Sequence, residues 1–163
     1  GGLELLLNPN QANTLTAAEN KGLITAHQRP RPRLDVLPYL REIPEAIAIA
    51  GMDSSDGLAD AITQICQRSG VGAIIERSSI KVFSGLTKLV SNQIAWSWVL
   101  NGGEDFELVL CLPQSYALKL LQVLGNNAAI IGTITANTAI KIVDSANLAE
   151  PEILSRNEGF QHF

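Results

Sequence analysis

Two acidic turns, each set between an apolar run and the next element, constrain this chain more than any other feature. The first is Met52-Asp53-Ser54-Ser55-Asp56-Gly57-Leu58, and the second is Asn101-Gly102-Gly103-Glu104-Asp105-Phe106-Glu107-Leu108. Apolar residues 46–52 lead into the first turn, and residues 106–112 lead out of the second. Continuous apolar runs of this length read as buried strands. Carboxylates and glycines at the end of such a strand can hold a hard cation and a phosphate close to the backbone.

The pattern around the turns alternates between helix and strand. Residues 1–7 read as the first turns of an apolar helix. Residues 16–27 read as a second helix, with Thr16 as N-cap and Glu19 three residues on, the capping-box spacing. Arg29-Pro30-Arg31-Pro32 ends it, and residues 34–43 form a short helix with Leu34, Leu37 and Leu40 in step. A longer helix is predicted to open at Asp53. Leu58, Ala61, Ile62, Ile65 and Cys66 mark its apolar face, Asp60, Thr63, Gln64, Gln67 and Arg68 its polar face, and Gly70 and Gly72 its end. A strand follows over 72–76, a helix over 84–92, and a strand or helical turn over 96–100. Residues 106–112 are predicted as a deeply buried strand, 114–124 as a helix behind Pro113, and 128–134 and 140–143 as strands. The last twenty residues read as mostly irregular. This alternation predicts an α+β fold, a mixed β-sheet covered by helices.

A chain of 163 residues, 46% hydrophobic and 17% charged, is expected to be one soluble globular domain rather than a disordered segment. The longest apolar runs fall far short of a membrane span, and no secretion signal opens the chain. The net charge is −4, and no Lys/Arg cluster is dense enough for a nucleic-acid surface. Arg29-Pro30-Arg31-Pro32-Arg33 reads as an extended linker, with phosphate contact the lesser reading. Cys66 and Cys111 form no CxxC and read as reduced thiols in a cytoplasmic protein. His27 and His162 are isolated, so no zinc site is expected.

If Asp53 caps the helix, Asp56 falls at its third position, and both carboxylates lie at the positive end of the helix dipole. Ser55 adds a hydroxyl and an N–H there. Such a junction can receive phosphate, yet two carboxylates repel a bare anion. A Mg²⁺ bound by the carboxylates and bridging to phosphate oxygens removes the conflict. Ordinary helix capping by Asp53 is the other reading, and it stays open. Glu104 and Asp105 could equally be solubilising turn residues. Glu107 is harder to explain so, because it opens an apolar run where an unpaired carboxylate is costly. It is expected to pair with a cation or to accept backbone hydrogen bonds.

Taken together, these residues resemble thiamine-monophosphate kinase. That family carries M-D-x-S-D-G-L after a strand and G-G-E-D-[YF]-E-L some fifty residues later, here Met52 to Leu58 and Gly102 to Leu108. The Arg29 to Leu34 stretch is similar to the family's proline-rich link, and Gly159-Phe160-Gln161-His162-Phe163 to its G-[WF]-x-H-F tail. The resemblance implies an AIR-synthase C-terminal-domain-like fold. Residues 1–163 would be the single C-terminal domain of a longer homodimeric kinase, inactive alone, whose N-terminal ATP- and Mg-binding domain is absent. The implied reaction moves the ATP γ-phosphoryl group to thiamine monophosphate, giving thiamine diphosphate. By match to the motif, Asp53 and Asp56 bind Mg²⁺, Ser55 contacts ATP phosphate, Glu104 contacts the thiamine part, and Phe160 stacks on it where the family usually has Trp. A related ATP-dependent cyclo-ligase is disfavoured because it should be Gly-rich at the first motif. A non-catalytic binding module is disfavoured because Asp53, Ser55, Asp56 and Glu104 are all retained.

Overall fold

The computed structural model describes residues 1–146 and 150–154. In chain order the helices and strands are α1 (Gly2–Leu7), α2 (Ala17–Gln28), α3 (Leu37–Leu40), β1 (Ala50–Asp53), α4 (Leu58–Ser69), β2 (Gly72–Glu76), α5 (Ser84–Leu89), α6 (Asn92–Asn101), β3 (Leu108–Cys111), α7 (Gln114–Leu124), β4 (Gly132–Thr135), β5 (Ile140–Val143) and β6 (Glu152–Ile153). The strands form two sheets. β1 and β3 make an antiparallel pair, and the larger sheet has the order β4-β2-β5-β6. In the larger sheet β2 and β5 run parallel while β4 and β6 flank them antiparallel, so the sheet is mixed as the α+β reading expects.

Helix α4 packs against both sheets. Its sequence dictates this, because Ala59, Ile62 and Cys66 recur at helical spacing and bury one face. They meet Ala73 and Ile75 of β2, Ile140 and Ile142 of β5, and Leu100 of α6 in one core cluster. Full burial of each of the larger side chains there, Ile62, Ile75, Leu100, Ile140 and Ile142, contributes about 1.5–3 kcal/mol. The helix ends as its sequence predicts, at Gly70 in the left-handed conformation (φ 66°) that glycine adopts without strain.

Helices α1, α2 and α5 pack together beside this core. Thr16 and Glu19 form the expected capping box: Thr16 Oγ1 accepts from Glu19 N–H at 3.2 Å, and Thr16 N–H donates to Glu19 Oε2 at 2.9 Å. Glu19 also accepts from Lys88 Nζ at 2.7 Å, tying α2 to α5. These bonds, with Lys88 the largest influence, hold the Glu19 carboxyl at about 2.

Several sequence expectations are corrected. The long helix opens at Leu58, not Asp53. Residues 96–100, open between a strand and a helical turn, belong to helix α6. Strand β3 is half-buried, because it pairs only with β1 and the two strands form a sheet of their own. The short strand β6 lies in a stretch read as irregular, held by antiparallel pairing to β5. Among the described residues no helix is long and apolar enough to cross a membrane.

Candidate functional site

The antiparallel register of β1 and β3 places Asp53 opposite Leu108. The last residue of one strand therefore faces the first of the other, and the two acidic turns emerge side by side. Two backbone hydrogen bonds then join them. Ser54 N–H donates to Glu107 O at 2.8 Å, and Glu104 N–H donates to Ser55 O at 2.7 Å. Ser54 itself is buried (5% exposed), which keeps the first of these bonds away from competing water. Asp53, Ser55, Asp56 and Glu104 are thus brought together at one end of the small sheet.

The first turn differs from the capping geometry expected of it. Asp53 closes β1, a tight turn from Ser54 to Gly57 follows (Gly57 N–H to Ser54 O, 2.9 Å), and Gly57 is the N-cap of α4. Gly57 takes φ 107°, open to glycine and strained for any side chain. Its α-carbon also lies against α6, where an added Cβ would stand 3.0 Å from Leu100 O. Asp53 therefore does not cap the helix, and Asp56 precedes the helix rather than sitting at its third position. Asp53 Oδ1 instead accepts from Ser55 N–H at 3.0 Å. The Ser55 hydroxyl and N–H hold the Asp53 carboxyl below its ordinary value. It therefore stays ionised in the form that binds a cation.

The second turn is strained where it carries its acids. Glu104 (φ 68°) and Phe106 (φ 52°) both adopt the left-handed conformation, which costs a non-glycine residue about 1–3 kcal/mol. Such residues persist only where the surroundings over-determine them, and here the two inter-turn bonds do so. Asp105 has its carboxyl pushed up by burial, although the residue as a whole is exposed. His27, at the end of α2, brings Nδ1 to 3.9 Å from Glu104 Oε2. Glu107 is exposed rather than buried as expected, and it still meets a cation, with Arg33 Nη1 2.8 Å from its Oε2.

The donors suit magnesium better than zinc. Magnesium takes one or two carboxylates together with water and phosphate oxygens, and Asp53 and Asp56 offer that set within a single turn. Among the described residues no group of three or more His, Cys, Asp or Glu gathers as a metal site. Phe160, expected to stack on substrate, lies outside the described residues. Sequence reasoning missed two neighbours of the site: His27 was read as isolated and Arg33 as part of a linker. The one signal for Arg33 was the acidic residue Glu107 opening an apolar run.

The sequence matches the family of AIR synthase related protein, C-terminal domain, over residues 2–145. The chain belongs to that family. A thiamine-monophosphate kinase from Synechococcus elongatus is 48% identical over 143 residues, covering 86% of this chain and 42% of that protein. The crystal structure of thiamine-monophosphate kinase from Stenotrophomonas maltophilia K279a superposes with a TM-score of 0.71 at 26% identity, covering 91% of this chain and 46% of that one. AaThiL, solved complexed with AMPPCP and TMP, superposes with a TM-score of 0.65 at 24% identity, covering 95% of this chain and 46% of that one. The resemblance drawn from the two acidic motifs and the AIR-synthase-like fold are both borne out. The chain spans less than half the length of the curated relatives it matches.

Proposed function

We propose that this chain is the C-terminal domain of an ATP-dependent kinase that phosphorylates thiamine monophosphate to thiamine diphosphate. The observation that carries the reading is the joining of the two acidic turns through Ser54 to Glu107 and Glu104 to Ser55. That pairing sets candidate groups for metal, nucleotide and acceptor on one short edge. The thiamine-monophosphate kinases among its relatives support the same assignment.

In this reading Asp53 and Asp56 hold Mg²⁺, which neutralises phosphate charge as the γ-phosphoryl group moves. Ser55 lies between them and contacts ATP phosphate. Glu104 faces the thiamine part, where its negative charge suits a cationic thiazolium. Phe160 is assigned to stack on the same group. The acceptor is a phosphate oxygen that is already anionic near neutral pH, so no strong base is required. What the residues supply is position and charge. The rest of the metal and nucleotide site belongs to an N-terminal domain outside this chain, in a cytoplasmic homodimer. The greater length of the relatives supports a part of the site lying outside this chain.

The test is thiamine diphosphate formation by the full-length protein with ATP, Mg²⁺ and thiamine monophosphate. Turnover that disappears on chelation of Mg²⁺ supports the reading. Binding of ATP with no phosphorylation of thiamine monophosphate overturns it.

A further inference from the structure

Arg33 sits at the end of the proline-rich stretch, and its guanidinium is committed to four acceptors. Nε and Nη2 donate to Asp35 Oδ1 and Oδ2, each at 3.0 Å. Nη1 donates to Glu107 Oε2 at 2.8 Å and to Asn127 O at 3.2 Å. The Arg33 side chain is 16% exposed while Glu107 is 60% exposed, so the arginine is the enclosed member of the pair. The turn that carries Asn127 is fixed in its own right, because Lys81 Nζ donates to Asn126 O at 3.1 Å and Ala128 O at 3.0 Å. Arg33, oriented by its neighbour Asp35, therefore ties Glu107 to the turn that carries Asn127.

Glu107 is the residue whose carbonyl receives Ser54 N–H, and it follows directly on the strained pair Glu104 and Phe106. A loop held in left-handed backbone relaxes when an anchor is removed. The anchor at its Ser55 side is a backbone bond. At its strand side, the side-chain anchor is the Arg33 contact.

We propose that Arg33 is a positioning residue for the second acidic turn, acting through Glu107 to hold Glu104 in the orientation that meets the thiamine part of the substrate. The inference rests on the kinase reading and on the place of Glu104 in it. An exposed ion pair alone would carry no such weight. A planar fork engaged at four points fixes direction as well as charge. Lysine, a single point donor, can meet Glu107 or Asp35 but not the whole set.

The experiment is steady-state kinetics of the full-length protein with Arg33→Met, Arg33→Lys and Glu107→Gln, beside thermal melts of each. Loss of one charge-assisted anchor is expected to raise KM for thiamine monophosphate about tenfold. KM for ATP should stay within about twofold, since no Arg33 contact reaches Ser55 and the backbone bonds between the turns remain. Arg33→Lys should fall between wild type and Arg33→Met. Arg33→Met combined with Glu107→Gln should be no worse than the more severe single variant. Should Arg33→Met fail to fold, Glu107→Gln carries the same prediction with shape and hydrogen-bond acceptor kept. Equal changes in both KM values, or a lowered melting temperature with kinetics unchanged, would overturn the positioning role while leaving the kinase intact. An inactive wild-type protein would overturn the kinase reading, and this inference with it.

Discussion

Asp56 separates function from architecture most sharply at the scale of single residues. It precedes the N-cap instead of occupying the first turn of α4, so the helix does not depend on it for capping. As a metal ligand it would matter to the reaction far more than to the fold. Asp56→Asn in the full-length protein should lower turnover at least about a hundredfold while thermal stability is nearly unchanged. Activity within a few-fold of wild type would remove Asp56 from the metal site. Gly57 is the converse case. Its φ of 107° and the 3.0 Å approach of a Cβ to Leu100 O make Gly57→Ala a structural lesion. Denaturant unfolding of the full-length protein should show a loss of roughly 1–3 kcal/mol.

Among the elements, α2 offers a test with a defined pH window. Glu19 closes the capping box and receives Lys88, and its carboxyl is held at about 2 against an ordinary 4.5. A depressed acid stabilises the fold fully above its unfolded-state value and loses that contribution as pH falls through the folded one. Thermal melts of wild type and Glu19→Gln should differ at neutral pH and converge between about pH 4.5 and pH 2. A gap that stays constant across that window would show that the charge is not what holds the α2 start.

The same helix shows why part of this fold was legible in its sequence. The Thr16 and Glu19 box, the apolar stripe of α4 and its stop at Gly70 are each set by neighbours within a few residues, so local pattern suffices. The start of α4 was misplaced because the Ser54 to Gly57 turn is stabilised from outside, by Glu107 O on one side and the backbone of α6 against Gly57 on the other. The apolar run in α6 fits a strand or a helical turn, and Ser91 Oγ, which accepts from Ile94 N–H and starts a helix, decides between them. In the site, the two motifs were visible as sequence. That they touch was not, because the contact depends on the register of β1 with β3. Arg33 and His27 approach the second turn from regions distant in sequence, and no local pattern announces that.

For the whole molecule, the central claim is that this chain is one half of a catalytic unit. The joined turns carry three carboxylates, Asp53, Asp56 and Glu104, and the Ser55 hydroxyl, but among the described residues no three such groups stand close enough together to hold a metal ion. The measurement that tests this most directly is thiamine diphosphate formation from ATP, Mg²⁺ and thiamine monophosphate by the full-length protein, run beside residues 1–163 alone. Turnover by the full-length protein and none by the shorter chain is the predicted result. Turnover by the shorter chain alone would contradict the divided site, and absence of turnover in both would contradict the kinase assignment itself.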